Sequence, residues 1–243
     1  MDARQILRKN QAISKLDDHT IEDLARTTTV QRLRRGEALW RAGERASSLV
    51  IVGHGLVKVL LPATGARDLV LGLYGPGESV GEAQVLDGAQ YPAEALALTE
   101  PVTIGRIPRE NLLQALERNG AATIEVARSI GRAMSVANRR IALFTASAEE
   151  RLASTIIELS ERFGDEMEDG STLIPLRLTR AELAALVGTT VETTIRTLSR
   201  WSREGLVTTV DGGLTVHDPS ALARRSVPPN PYVHAEPAAM RMS

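Results

Sequence analysis

Cysteine is missing from this chain of 243 residues. Disulfides, thiolate zinc sites and cysteine-held iron–sulfur clusters are therefore excluded. Long apolar runs are missing too, and nothing approaches the roughly 20 residues of a membrane span. The opening MDARQILRKNQAISKLDD is charged and has no apolar core of the secretory kind, so a cytoplasmic protein is expected. An excess of either charge is also lacking. The formal net charge is -1, so any nucleic-acid site must be local rather than global. No Gly-x-Ser-x-Gly elbow, Walker loop or His-Glu-x-x-His motif occurs, so neither catalytic residues nor a metal are expected. The length suits one large domain or two smaller ones with ample buried core.

What is present changes texture along the chain. Residues 5–26 read as short helices, with Ile21, Leu24 and Ala25 at helical spacing behind Asp17 and Asp18. From Thr27 to Pro108 come short apolar runs, EALW, SLVIV, GLVKVLL, DLVLGLY and VTIGRI, separated or edged by glycines such as Gly36, Gly53 and Gly75. Short strands with glycine turns predict an antiparallel roll or sandwich. From Arg109 the period becomes helical. Ala127, Ile130, Met134, Ala137, Ile141 and Phe144 are spaced 3, 4, 3, 4, 3, a heptad seam that suits a helix pairing with its copy. The alternative is a helix lying against its own domain. Arg128, Arg132, Arg139 and Arg140 fall on the other flank, as a solvated face would.

A third unit starts near Ser147. SAEERLASTIIELSERFG predicts an amphipathic helix ending at Gly164, and the acidic loop DEMEDGS follows. LTRAELAALVGTTVETTIRTLSRW then reads as two helices and a tight turn. Thr179 and Glu182 form a capping box at the first helix. Leu183, Ala184 and Val187 supply its inner face, and Gly188 ends it. Thr189 or Thr190 caps a second helix running to about Arg203. This is the helix-turn-helix pattern. The first turns of the second helix carry Val191, Glu192, Ile195 and Arg196. Arginine can donate twice to guanine, glutamate can accept from cytosine N4, and an aliphatic group can meet a thymine methyl. Glu192 and Arg196, four residues apart, share one face; a plain surface ion pair is the competing reading. Local charge fits DNA, since residues 176–204 hold five arginines against three acids. Phosphate contacts are expected from Thr179, Arg180, Thr190, Thr193, Ser199 and Arg200. GLVTTV-DGG-LTV predicts a hairpin with an Asp-Gly turn, the wing of a winged helix.

The order of these parts, with RAGERASSLVIVGHGLVKV, GPGESVGEAQVLDG and the helix-turn-helix segment, resembles the family of the cyclic-AMP receptor protein and FNR, bacterial transcription regulators. The resemblance covers roughly residues 10–225. It implies an α+β chain: N-terminal helices and β-roll over 1–108, a dimerisation helix over 109–146 and a winged helix-turn-helix over 147–225. The tail 226–243, rich in proline and alanine, is expected to be disordered. It also implies a homodimer on double-stranded DNA, with RNA polymerase as a further partner and no membrane. TVETTIR is closest to the FNR-like branch, so Glu192 and Arg196 would read the G·C pair of a TGA-type core. Ile195 stands where that branch has serine, so the outer bases of the half-site do not follow.

In the cyclic-nucleotide binders of the family a Gly-Glu pair opens the phosphate cassette, and an arginine further on holds the phosphate. Gly81 and Glu82 are kept here, but the arginine position falls on Tyr91 or Pro92. Neither offers a cation, and Glu94 nearby would repel a phosphate. The helix hydroxyls that meet adenine align with Val136 and Ala137. Cyclic AMP is not expected to bind. A rebuilt pocket for an unknown effector would be lined by these residues and Ala93; an effector-independent regulator is the alternative, and a ligand-binding regulatory protein without DNA is a further one. An iron–sulfur sensor is excluded by the missing cysteines. Haem is not expected, since His54 is a lone histidine in the roll, with His19 before it and His217 and His234 far downstream. A cupin-like metal site would need several histidines there, and an enzyme is not expected.

Overall fold

The computed structural model describes residues 1–62, 69–142 and 146–227, without the side chains of residues 69 and 137–142. Phe144 and the tail from residue 228 lie outside the described residues. The chain divides into two compact units, Met1–Met134 and Ser135–Ser243.

The first unit opens with α1 (Ala3–Lys9), a short 3-10 turn and α2 (Asp18–Thr27). Asp2 and Asp17 cap the two helices by accepting from Gln5 N and Thr20 N. Eight strands follow: β1 (Thr29–Leu33), β2 (Ala38–Trp40), β3 (Ser48–His54), β4 (Val57–Leu61), β5 (Leu69–Tyr74), β6 (Ser79–Val80), β7 (Glu94–Ala97) and β8 (Val102–Pro108). Between β6 and β7 lies the one-and-a-half-turn helix α3 (Glu82–Asp87). The strands form two antiparallel sheets, ordered β1-β8-β3-β6 and β2-β7-β4-β5. This is the antiparallel roll the sequence predicts. Strand β3 is buried at almost every position, and with β8 it forms the middle of the core through Leu49, Ile51, Ile104 and Ile107.

Helix α1 lies on that sheet through Ile6 and Leu7, both fully buried. The approach is close because Gly53 and Gly105 carry no side chain. A Cβ at Gly53 would sit 2.8 Å from Ile6 Cγ1, and one at Gly105 3.2 Å from Ile6 Cγ2. Gly53 is therefore a packing glycine inside a strand, not a turn glycine.

The stretch read as one dimerisation helix is two. α4 (Arg109–Glu117) ends at Arg118, and α5 (Gly120–Ala142) begins after Asn119, whose Oδ1 accepts from Ala122 N at 2.9 Å. On α5, Ala122 and Val126 are buried in the roll's core, and Ile130 packs against it. Ile130, a position of the heptad spacing, is thus also a contact of its own domain. Exposed apolar groups on α5 include Ala127 and, missed in the sequence reading, Ile124, 56% exposed; Met134 joins them at 62%. Ala137 and Ile141 continue α5, with side chains outside the description. Of the arginine flank, Arg128 and Arg132 both pair with Glu125 at 3.2 Å, and Arg132 also reaches Gln11.

The second unit holds α6 (Ala148–Phe163), β9 (Asp165–Glu166), β10 (Thr172–Ile174), α7 (Arg180–Val187), α8 (Val191–Arg203), β11 (Val207–Val210), β12 (Gly213–Val216) and α9 (Pro219–Ala223). Ser147 and Glu150 form a reciprocal capping box on α6, and Gly164 ends it. The acidic loop starts with β9, so it adds an edge to a four-stranded antiparallel sheet, β11-β12-β10-β9. Trp201 is fully buried at the centre of this unit, with Leu152, Ile156, Leu183, Val207 and Leu222 in the same core.

Candidate nucleic-acid interface and sensor cradle

Helix α7 starts where the sequence places it. Thr179 Oγ1 accepts from Glu182 N at 3.1 Å, and Glu182 Oε2 accepts from Thr179 N at 2.8 Å. Gly188 takes φ 69°, the left-handed conformation that a sharp turn needs and that a side chain resists. Thr190, not Thr189, caps α8 by accepting from Thr193 N at 2.9 Å; Thr189 is buried. Helix α8 is sharply two-faced. Thr194, Thr197, Leu198 and Trp201 are buried at i, i+3, i+4, i+7. Glu192, Ile195, Arg196, Ser199 and Arg200 are exposed, and Val191 is half-buried. Among the described residues Arg196 is in no ion pair, so its guanidinium fork is available to a base. Ile195 is 46% exposed, an apolar group held in water beside that arginine.

The backbone-contacting set is less uniform than the sequence suggests. Arg180, at the first position of α7, donates to Thr209 Oγ1 on β11 at 2.5 Å, which ties helix to wing. Thr193 Oγ1 accepts from Thr190 Oγ1 at 2.9 Å. Arg200 is different: it pairs with Glu149 on α6 at 2.5 Å and approaches Glu204 at 3.9 Å. Glu149 also accepts from Trp201 Nε1 at 3.2 Å, and Glu204 pairs with Arg225 at 2.7 Å. Arg200 is thereby a brace between α6 and α8, its side chain still 45% exposed.

The cradle in the roll begins at Gly81, which caps α3 with φ 82°. Glu82 follows and is buried. Its Oε1 accepts from Ser79 Oγ at 2.6 Å and from Ser129 Oγ, on α5, at 2.7 Å. Ser79 in turn accepts from Asn10 Nδ2 at 3.1 Å. Burial raises the Glu82 carboxyl above its ordinary value, against the pull of the two serine hydroxyls. Tyr91 lies over Gly81: a Cβ there would be 2.8 Å from the Tyr91 ring. The ring is buried and stacked on Trp40, with centroids 4.0 Å apart and planes 13° from parallel. Tyr91 OH donates to Ser48 O at 3.1 Å, and Trp40 Nε1 donates to Ala93 O at 3.0 Å. Burial pushes the Tyr91 phenol up to about 12, with Arg106 acting in the opposite sense. Arg106 itself is turned to Leu39 O at 2.5 Å and Gln31 Oε1 at 3.2 Å. Pro92 is exposed and Ala93 buried. Glu94 is not the bare repulsive charge that the sequence suggests, since Arg41 pairs with it at 2.7 Å. Val136 is half-buried, and the side chain of Ala137 lies outside the description.

Two family models match this arrangement, a cyclic nucleotide-binding domain over residues 30–119 and a Crp-like helix-turn-helix domain over residues 150–225. The chain belongs to the Crp/Fnr family of transcription regulators. It is 29% identical over 203 residues to the cyclic AMP receptor protein of Thermus thermophilus, covering 82% of this chain and 89% of that one. It is 29% identical over 180 residues to the transcriptional activator protein FnrA of Stutzerimonas stutzeri, covering 72% and 71%. In three dimensions it matches FixK2 of Bradyrhizobium japonicum with a TM-score of 0.73, over 82% of this chain and 98% of that one, at 18% identity. Among the described residues no helix is long and apolar enough to cross a membrane.

Three features of this Crp/Fnr regulator escape sequence reading. Arg151 on α6 donates to Val187 O at 2.9 Å, Gly188 O at 3.2 Å and Ala146 O at 2.6 Å. It caps the end of α7 at the helix-turn-helix turn. Glu149 is the acceptor that holds Arg200 and Trp201. Ser129 is the α5 hydroxyl that reaches the cassette. Each partner lies tens of residues away, so no local pattern announces the pair. A hollow of about 690 Å³ in the second unit is walled by Glu166, Glu168, Asp169, Met167 and His217; its acidic rim is the wrong sign for phosphate.

Glu82 carries a prediction. Its folded carboxyl titrates above the 4.5 of a free glutamate, so the folded state holds the proton more tightly. Stability is then fully present below that value and falls as pH rises through the folded one. Glu82→Gln keeps the acceptor oxygen and cannot ionise. Thermal melts should show it more stable than wild type at pH 7, with the gap closing toward pH 4.5. A gap of constant size across that range would refute the buried-charge account.

Proposed function

We propose that this regulator works as a homodimer on a palindromic TGA-type operator, without cyclic AMP as its effector. The observation that carries the reading is the outer face of α8. Glu192 and Arg196 stand one turn apart at the start of the helix, and Arg196 is unpaired among the described residues. Two such helices in successive major grooves would stand about 34 Å apart. Val191 and Ile195 form an apolar ridge beside them, suited to the methyl groups of thymines flanking the G·C pair. DNA work places the protein in the cytoplasm, and RNA polymerase is the partner that a regulator of transcription must reach.

Pairing is supported by the outward column on α5. Ile124, Ala127 and Met134 face away from the roll, and a Cβ at Gly131 would meet no atom within 4 Å. Small residues between large apolar ones let two helices approach closely. Absence of cyclic AMP is supported by the cradle. Tyr91 covers Gly81, and Arg106 is already engaged by Leu39 and Gln31. A phosphate there would lose hydration without gaining a cation.

Arg196→Ala should cost roughly 1–3 kcal/mol per half-site and relax preference at one G·C pair, whereas Arg180→Ala should weaken all sequences alike. Binding-site selection on both variants measures this, and an unchanged preference for Arg196→Ala refutes the base assignment. Met134→Glu should dissociate the dimer in sedimentation and take operator affinity with it, because the pair would bury an unpaired charge. A Met134→Glu dimer of wild-type strength would move the interface elsewhere. Calorimetry with micromolar cyclic AMP should show no heat, and an isotherm that disappears in a Glu82 variant would overturn the account of the cradle.

A further inference from the structure

Helix α5 meets the roll through an inward column of Ala122, Val126, Ser129 and Ile130. Three of these groups are apolar and could slide. Ser129 cannot, because its hydroxyl donates to Glu82 Oε1 at 2.7 Å. Glu82 is held in turn by Ser79 and, through it, by Asn10. Asn10 is itself buried and fully used: Nδ2 also donates to Gly77 O at 3.0 Å, while Oδ1 accepts from Ala12 N and Ile13 N at 3.1 Å. The carboxyl therefore has one allowed position, and the hydroxyl that meets it sets the rotation of α5. Ile124, Ala127, Gly131 and Met134 face outward only at that rotation.

Beside this chain of hydrogen bonds the space over Gly81 is taken by the stacked Tyr91 and Trp40 rings. The same cassette thus has its backbone covered by an aromatic ring and its carboxyl engaged by α5. We propose that the Glu82–Ser129 hydrogen bond is a built-in latch that does the positioning work of an effector: it holds α5 in its pairing rotation with no small molecule bound. Ser129 is a positioning residue, acting on DNA only through α5. The proposal rests on the dimeric, DNA-binding reading above, and its test has one arm that does not.

The full chain is refolded from denaturant, so that it carries over no small molecule, and amide exchange is followed across residues 122–134. A hydrogen bond to a buried carboxyl is worth about ten- to hundredfold in an equilibrium constant. Ser129→Ala should exchange at least about tenfold faster in this segment and bind operator at least about tenfold more weakly. Ser129→Thr, which keeps the hydroxyl, should restore both. Ser79→Ala removes an equivalent donor from the same oxygen without touching α5. It should lower the melting temperature and speed exchange over 122–134 by clearly less than Ser129→Ala does. Exchange that is unchanged in Ser129→Ala, or accelerated equally in Ser79→Ala, would overturn the latch whatever the DNA result. Faster exchange with unchanged operator affinity would also overturn it. A refolded wild type that binds no palindromic site would instead refute the proposed function, while the exchange arm still decides whether the hydrogen bond holds α5.

Discussion

A carboxyl group cannot be taken out of water without donors to meet it, and Glu82 is the place where this rule organises the first unit. Its burial demands Ser79 and Ser129, and Ser79 demands Asn10. These four residues come from the N-terminal segment, the adjoining β6 and α3, and α5, three regions far apart in sequence. Apolar packing brings such elements together but leaves their registers loose. The hydrogen-bonded chain removes that freedom, because a shift of any member strands a buried polar group.

The second unit solves a different problem, that of offering one helix face to a partner while burying the other. Helix α8 is stapled from behind by Trp201, which is fully buried and donates to Glu149. Arg200 reaches the same carboxylate, and Arg151 grips the turn that precedes the helix. With the rear fixed, Arg196 and Ile195 are left exposed with no structural duty. An exposed isoleucine beside an arginine that is in no ion pair among the described residues is an arrangement that stability alone does not require.

The legible parts of this molecule were those written within a few residues of one another. The Thr179–Glu182 box, the left-handed Gly188 and the Asp211–Gly212 wing turn all stand where the sequence puts them, since caps and turns are decided by short-range geometry. The four-residue spacing of Glu192 and Arg196 likewise put them on one face of α8, where both are exposed. What stayed hidden was long-range. The heptad spacing on α5 includes Ile130 without showing its contact with the roll, because period alone cannot tell which of two adjacent faces meets it. The ion pair of Arg200 was not legible because its partner Glu149 lies on another helix. Glu94 looked like a bare charge because Arg41 lies 53 residues away. In the cassette itself neither short helix α3 nor strand β7 was legible, since six helical residues and a four-residue strand are too short to show a period.

That last failure bears on function. Gly81 and Glu82 are the two residues of the cassette that survive from the nucleotide-binding pattern, and taken alone they argue for a ligand. In the folded chain each has a structural task. Gly81 is needed in the left-handed conformation and under a ring that leaves no room for a Cβ. Glu82 is needed where two serines and a helix converge on it. Both residues would be required here even if no nucleotide ever entered the roll. The cation that phosphate chemistry demands has no such second task, and the family resemblance puts its position on Tyr91 or Pro92. Retention of a binding motif is evidence for binding only in those residues that packing does not already explain.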